Sequence, residues 1–304
     1  MKHTLSLWRK ILVRTWVSSG EHRSLTESAA LAFYTLFSLA PVLVVVIAVA
    51  SAFFGEDAVR GQVVRQLGSL MGAEQAQMIQ AILRRVARDQ KEGLAALLGG
   101  VTVLLGATAL FVQLQSSLNR VWEVGPRKEH TIRTLLRKRL VSFAVLLAFG
   151  FLLLVSLALS AAIAGLQDWI ARRWDISAAL LQSANLGVTF VLFAVLFAMI
   201  YRILPDREIA WKDVALGAVA ASFAFQTGKW AFGLYVGRTA LASPYGTAGA
   251  LVVILLWVYY ATLILLLGAE FTRAHATTVS GSEPEASPGG RRVREVREEI
   301  GESS

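Results

Sequence analysis

YGTAGALVVILLWVYYATLILLLGAEF, residues Tyr245 to Phe271, carries no charge until Glu270. At a rise of ~1.5 Å per residue, roughly 20 apolar residues cross a hydrocarbon core of about 30 Å, so this run spans a bilayer with residues to spare. Five more such runs precede it: Ala29 to Phe54, Leu94 to Leu118, Leu140 to Ala164, Leu186 to Leu204 and Val214 to Val236. Each is expected to be helical, because an unpaired peptide group in lipid costs several kcal/mol and a helix pairs its own. A barrel would need ~10-residue alternating segments, which the sequence lacks. A hydrophobic content of 55% and a mean hydropathy of +0.56 agree with a chain dissolved mostly in lipid. The expected fold is all-α: a polytopic membrane protein of six transmembrane helices with amphipathic interfacial helices.

Around the spans the chain divides into three parts. Residues 1–28 read as a cytoplasmic lead-in, where Leu5, Trp8, Ile11, Leu12 and Trp16 recur at helical spacing with Arg9, Lys10 and Arg14 between them. That pattern suits a helix lying in the membrane interface. Residues 29–275 form the six-helix domain, with a long outer loop at about 55–93. In that loop Val59, Val63, Leu67, Met78, Ile79, Ile82 and Leu83 make two amphipathic stretches broken near Gly72, read first as surface packing. Residues 276–304 read as a disordered charged tail, with SGSEPEASPGG as a linker before RRVREVREEI. Ala48, Val49 and Ala50 resemble a cleavage site, yet the apolar run before them is longer than the ~7–15-residue core of a signal peptide, so it is expected to stay as a span. The chain has no cysteine, which removes disulfides and thiolate chemistry.

The net charge of +9 is a topology signal. Segments 1–28, 119–139, 202–212 and 273–304 together hold twenty of the 30 Lys and Arg, whereas the opposite side holds nine, and Lys229 lies within a span. This bias places both termini in the cytoplasm and the basic rim against anionic headgroups. A nucleic-acid surface is disfavoured, because the bases are spread over loop ends rather than gathered on one aromatic-studded face.

Four segments resemble the YihY/BrkB family of bacterial inner-membrane proteins: AALAFYTLFSLAPVL (Ala29 to Leu43), LNRVWEV (Leu118 to Val124), YRILPDREIAWKDVALGA (Tyr201 to Ala218) and the closing LLWVYY…LLGAEF run. The resemblance extends from about residue 20 to 275. It implies a six-helix protein of the inner membrane. Family members have been labelled ribonuclease BN, or serum-resistance and virulence factors, and a transport role in the cell envelope has been suggested.

Hydrolysis of RNA needs a metal held by clustered His and carboxylates, or a positioned acid–base pair. His3, His22, His130 and His275 fall one per segment, without a second histidine at a ligand spacing. His3 and His22 read as surface residues, and His130 and His275 as neighbours of headgroups. No G-x-x-x-x-G-K-[ST] loop is present to cradle a nucleotide phosphate. The chain is therefore not expected to be an enzyme, and no cofactor or metal is expected.

What remains is the polar content of the spans. Lys229 follows Gln226 and Thr227 within AASFAFQTGKWAFGLYVG, and two readings stay open. Its stem snorkels to an interface, or its ammonium holds an anionic group. Glu270 reads as half of an ion pair with Arg202, Arg120 or Arg273, with a coupling role as the alternative. Pro41 removes a helix hydrogen bond mid-span. Gly233 with Gly237, and Gly246 with Gly249, are expected at close helix approaches. Asn119 and Arg120 belong to the rim. The leading expectation is a transporter or lipid-handling protein of the envelope, with a polar cavity lined by Tyr34, Gln226, Lys229 and Gln113. Pro41, Asn119, Arg120, Glu270 and Gly246 are read as structural or gating residues. A noncatalytic envelope scaffold is the alternative, and a membrane-bound ribonuclease the third reading. Expected partners are membrane lipids, an anionic amphiphilic substrate and a second copy in a homo-oligomer, with no nucleic acid.

Overall fold

A computed structural model describes residues 2–89, 109–124, 178–207, 209–238 and 247–279. Every regular element among them is a helix: α1 (Lys2–Glu21), α2 (Ser24–Phe54), α3 (Glu56–Met71), α4 (Ala73–Asp89), α5 (residues 109–121), α6 (Ala178–Ile203), α7 (Trp211–Arg238) and α8 (Thr247–Val279). Three stretches are long and apolar enough to cross a membrane: Ser24–Val44, Leu186–Ile203 and Gly249–Val279. The helix α7 covers a fourth expected run and packs between α6 and α8, although Lys229 and its polar neighbours lower its apolarity. The run Leu140 to Ala164, most of Leu94 to Leu118, and the tail 280–304 lie outside the described residues. Three spans, rather than six, are thus established among the residues described.

Antiparallel packing of α2 on α8 sets the frame. Thr262 Oγ1 lies 3.2 Å from the Ser28 carbonyl oxygen, and His22, just before α2, meets Glu270 further along α8. The starts of α2 and α7 and the ends of α5, α6 and α8 therefore bring their polar residues to one end of the bundle. An aromatic seam of Phe193, Phe197, Phe225, Phe232, Trp257 and Tyr260 joins α6, α7 and α8 at centroid distances of 4.6 to 6.5 Å. Other large apolar side chains, Phe37 and Trp230 among them, face outward, as spans in lipid require.

Close helix approach occurs where the sequence did not lead us to expect it. A Cβ on Gly233 would meet nothing, so this glycine lies away from its neighbours. The tight contacts are instead at Gly217, Gly228 and Gly268, which receive Thr272, Tyr260 and Tyr201. Spacing alone marks a small-residue face but says nothing of which way that face points. Gly246 lies outside the described residues. The helix α2 runs unbroken through Pro41.

The outer amphipathic stretches form a helical hairpin, α3 and α4, turning at Gly72 with φ 105°. Val59, Met71, Ala76, Ile79 and Leu83 bury one side of it. The hairpin lies against α2 and α8, so packing accounts for its apolar face. At the other end α1 buries Ile11 and Ser19 against the bundle and leaves Leu12, Val13, Trp16 and Val17 exposed beside Arg9, Lys10 and Arg14. Arg23, at φ 55° in the left-handed region, turns the chain from α1 into α2.

Candidate functional site

A cavity of about 260 Å³ opens between α2, α5, α6 and α8. Its walls include Leu31 and Val42, Phe111 and Leu114, Met199 and Ile203, and Val258 and Leu265. Two wall residues carry hydroxyls, Thr35 and Thr262, and both donate to carbonyls of their own helix, at 2.7 Å to Leu31 and 2.8 Å to Val258. Apart from these two hydroxyls, whose protons are already used, the described walls are apolar, so the cavity is close to a hydrocarbon-like space. A void of about 150 Å³ with such walls stays dry and takes up benzene.

A polar cluster closes one end of this space. Glu27 stands one turn before Leu31 and two before Thr35, hence on the same face of α2 as the cavity. Its carboxylate accepts from Ser117 Oγ at 2.8 Å and Gln113 Nε2 at 3.3 Å, and pairs with the Arg120 guanidinium at 3.0 Å. Residues 113, 117 and 120 stand four and three apart, which makes them a single polar stripe down α5 beside the apolar wall formed by Phe111 and Leu114. Beyond them, Asn119 clamps the turn after α6. Its amide donates to Asp206 Oδ2 at 2.9 Å, and its carbonyl accepts the Asp206 backbone N–H at 2.8 Å. Gln115 adds a bond to Asp206 Oδ1 at 3.2 Å.

Two guanidiniums border that turn. Arg202 lies 5.6 Å over the Trp211 ring and Arg207 lies 6.0 Å over that of Trp122. Neither has a carboxylate within ion-pair distance among the described residues. Ile203 and Leu204, the wall residues at this end of α6, stand between them in the chain.

A second cluster joins α1 to α8. His22 Nδ1 lies 2.7 Å from Glu270 Oε1, Ser24 Oγ lies 3.5 Å from the same oxygen, and Arg273 NH1 lies 3.3 Å from His22 Nε2. Arg273 also pairs with Glu123. Glu123 Oε1 also lies 3.6 Å from His22 Nε2, so the imidazole stands among two carboxylates and a guanidinium. This corrects two expectations. Glu270 is bound by His22 rather than by Arg202, Arg120 or Arg273, and His22 is a half-buried strut rather than a surface residue. The reason is the left-handed turn at Arg23, which aims the end of α1 at α8. His275 likewise finds Asp213, at 3.0 Å.

The residues expected to share a polar cavity are dispersed. Gln113 sits in the Glu27 cluster, and Tyr34 is exposed on α2. Gln226 and Lys229 lie toward the other end of α7, the lysine ~27 Å along the helix from Trp211. None of the four is in the walls of the apolar cavity. Asn119 and Arg120 do reach its polar end. Glu27, Ser117 and Asp206 were not singled out from the sequence. The stripe at 113, 117 and 120 was a usable signal, whereas nothing in the spacing tied it to Glu27.

Long outward-facing apolar helices define an integral helical membrane protein. The chain belongs to the BrkB family, since the family model described as Virulence factor BrkB matches residues 15–291. It is similar to a UPF0761 membrane protein of Ralstonia nicotianae, 33% identical over 253 residues that cover 83% of this chain and 55% of that protein. A UPF0761 membrane protein of Chromobacterium violaceum is 33% identical over 260 residues, 83% of this chain and 58% of the relative. One from Stenotrophomonas maltophilia is 26% identical over 271 residues, 89% and 60% respectively. The chain thus spans little more than half the length of these curated relatives. No solved structure matches it.

Proposed function

We propose that this protein handles lipids in the bacterial inner membrane, taking the hydrocarbon chain of an amphiphile between its helices and carrying it across or along the bilayer. The observation that supports this reading is the apolar cavity with a polar cluster at one end only. Such a gradient fits a molecule with one greasy and one polar end. An ion or a sugar would find only two threonine hydroxyls among the described wall residues. Each methylene moved from water into such a space is worth ~0.8 kcal/mol, but a chain already in lipid gains little, so the cavity favours exchange over tight capture. On this reading the protein is not an enzyme. Its termini both face the cytoplasm, as the distribution of Lys and Arg suggests.

Reconstitution in liposomes with a headgroup-labelled phospholipid tests the proposal. Transbilayer movement should exceed that of protein-free vesicles. Filling the cavity with Leu114→Trp or Ile200→Trp should reduce it severalfold while the protein stays folded. Equal movement with and without protein would rule out transbilayer transport. An unchanged rate in both filled variants would remove the cavity from the mechanism.

A further inference from the structure

The cavity says what kind of tail would enter and leaves open which head comes with it. Charge at the polar end decides this. Glu27 and Arg120 neutralise each other at 3.0 Å, and Asp206 is engaged by Asn119 and Gln115. Arg202 and Arg207 differ from these: their described partners are the faces of Trp211 and Trp122, at 5.6 and 6.0 Å. An indole face orients a guanidinium without discharging it, and it leaves the N–H fork free for another acceptor. Trp122 is buried and Trp211 exposed, so one arginine is held against the bundle and the other toward its periphery. Arg202 precedes the turn at residues 204–207 and Arg207 ends it, and the first residue of the turn, Leu204, is part of the cavity wall together with Ile203.

We infer that the turn at 204–207 is an anionic headgroup site, in which Arg202 and Arg207 take the phosphate of a lipid whose acyl chain lies in the cavity past Ile203. This rests on the lipid-handling reading and adds its specificity: the amphiphile is a phospholipid with net negative charge. The headgroup site then lies at the Asn119 end of the bundle and not at Lys229. Phosphate suits the pair because guanidinium binds it through two parallel N–H···O bonds, whereas a zwitterionic head brings its own cation to compete. Asn119 has a positioning role here, since its two bonds to Asp206 set the geometry of the turn that separates the arginines.

Native mass spectrometry of the detergent-solubilised full chain tests this, with dioleoyl phosphatidylglycerol and dioleoyl phosphatidylcholine as probes. Their tails are identical, so preference reports the head. Wild type should bind phosphatidylglycerol roughly tenfold more tightly, as expected when charge-assisted bonds to the phosphate are unopposed in one lipid and face a competing choline cation in the other. The paired substitution Arg202→Gln with Arg207→Gln should erase that preference and bring the two lipids to equal affinity. The pair Arg202→Lys with Arg207→Lys should retain part of it, which separates loss of charge from loss of fold. Preference that survives the glutamine pair, or that disappears in Lys229→Gln instead, overturns the headgroup site. No preference in wild type, with both lipids displaced by Leu114→Trp, overturns it too but leaves the chain-binding cavity standing. Binding of both lipids untouched by Leu114→Trp sinks the cavity reading itself.

Discussion

At Gly268 a side chain would run into the Tyr201 hydroxyl and come within 2.8 Å of the Ala221 Cβ, so three helices converge where only hydrogen fits. Tyr201 is fully buried and donates to the Leu265 carbonyl at 2.9 Å, which leaves its ring no easy retreat. Gly268→Ala is expected to lower stability by ~1–3 kcal/mol, the usual cost of overpacking. Adding Tyr201→Phe should recover part of that loss by removing the obstructing oxygen. Thermal unfolding in detergent measures both, and strict additivity of the two changes would contradict the contact. His22 offers a second test at this scale. Its imidazole binds one oxygen of Glu270, while the other oxygen, Oε2, is buried without a hydrogen-bond partner among the described residues. His22→Ala strands a buried carboxylate and is expected to cost ~3–5 kcal/mol. Glu270→Gln in that background should reduce the damage, because an amide carries no charge to strand. If the double variant unfolds no later than His22→Ala alone, the pair is not the strut described.

Among the elements, α5 has the clearest division of labour. One side of it gives Phe111 and Leu114 to the cavity, and the next gives Gln113, Ser117 and Arg120 to Glu27. Its end holds the turn after α6 through Asn119 and Asp206. Because the chain has no cysteine of its own, a pair introduced as Asn119→Cys and Asp206→Cys reports only on that contact. A short bis-maleimide should join them in one chain in native membranes, seen as a linked peptide pair by mass spectrometry. Failure to link, with both thiols still reactive singly, would separate α5 from the turn. Much of this element was readable beforehand, since the polar stripe at a spacing of four and three is visible within an otherwise apolar run. Its partner was not, because Glu27 stands far away in the chain and only the antiparallel placement of α2 brings it near.

For the molecule as a whole, the charge distribution makes a prediction that the helices alone do not. Reporters that are active only in the cytoplasm, fused to the N- or the C-terminus, should both be active; a split result would mean an odd number of crossings, and two inactive fusions would invert the topology proposed above. The exposed face of α1 belongs to the same picture. Trp16 is 76% exposed and stands beside Arg14, a pattern suited to an interface where rings sit among headgroups. Replacing Trp16 and Leu12 by Ser should leave the bundle folded and weaken the hold of α1 on anionic vesicles, readable as faster proteolysis near the N-terminus of reconstituted protein.

Hydropathy by itself determined the solvent, the helical class and the approximate places of α2, α6, α7 and α8, because in lipid a long apolar run has only one way to pair its backbone. Local composition likewise marked α1 and the hairpin of α3 and α4 as amphipathic, since one-sided burial leaves a period in the residues nearby. Partnership was settled only in three dimensions. Lys229 and Gln226 attracted notice as polar residues in a span, yet helix rotation and length carry them away from the cavity. His22 looked like a surface histidine, and one left-handed residue turned it onto Glu270. Glycine spacing pointed to Gly233, whereas the neighbours chosen by packing placed Gly217, Gly228 and Gly268 at the contacts. A sequence records what each face of a helix is made of; which face meets which is decided by the packing of helices far apart in the chain, and the cavity exists only between them.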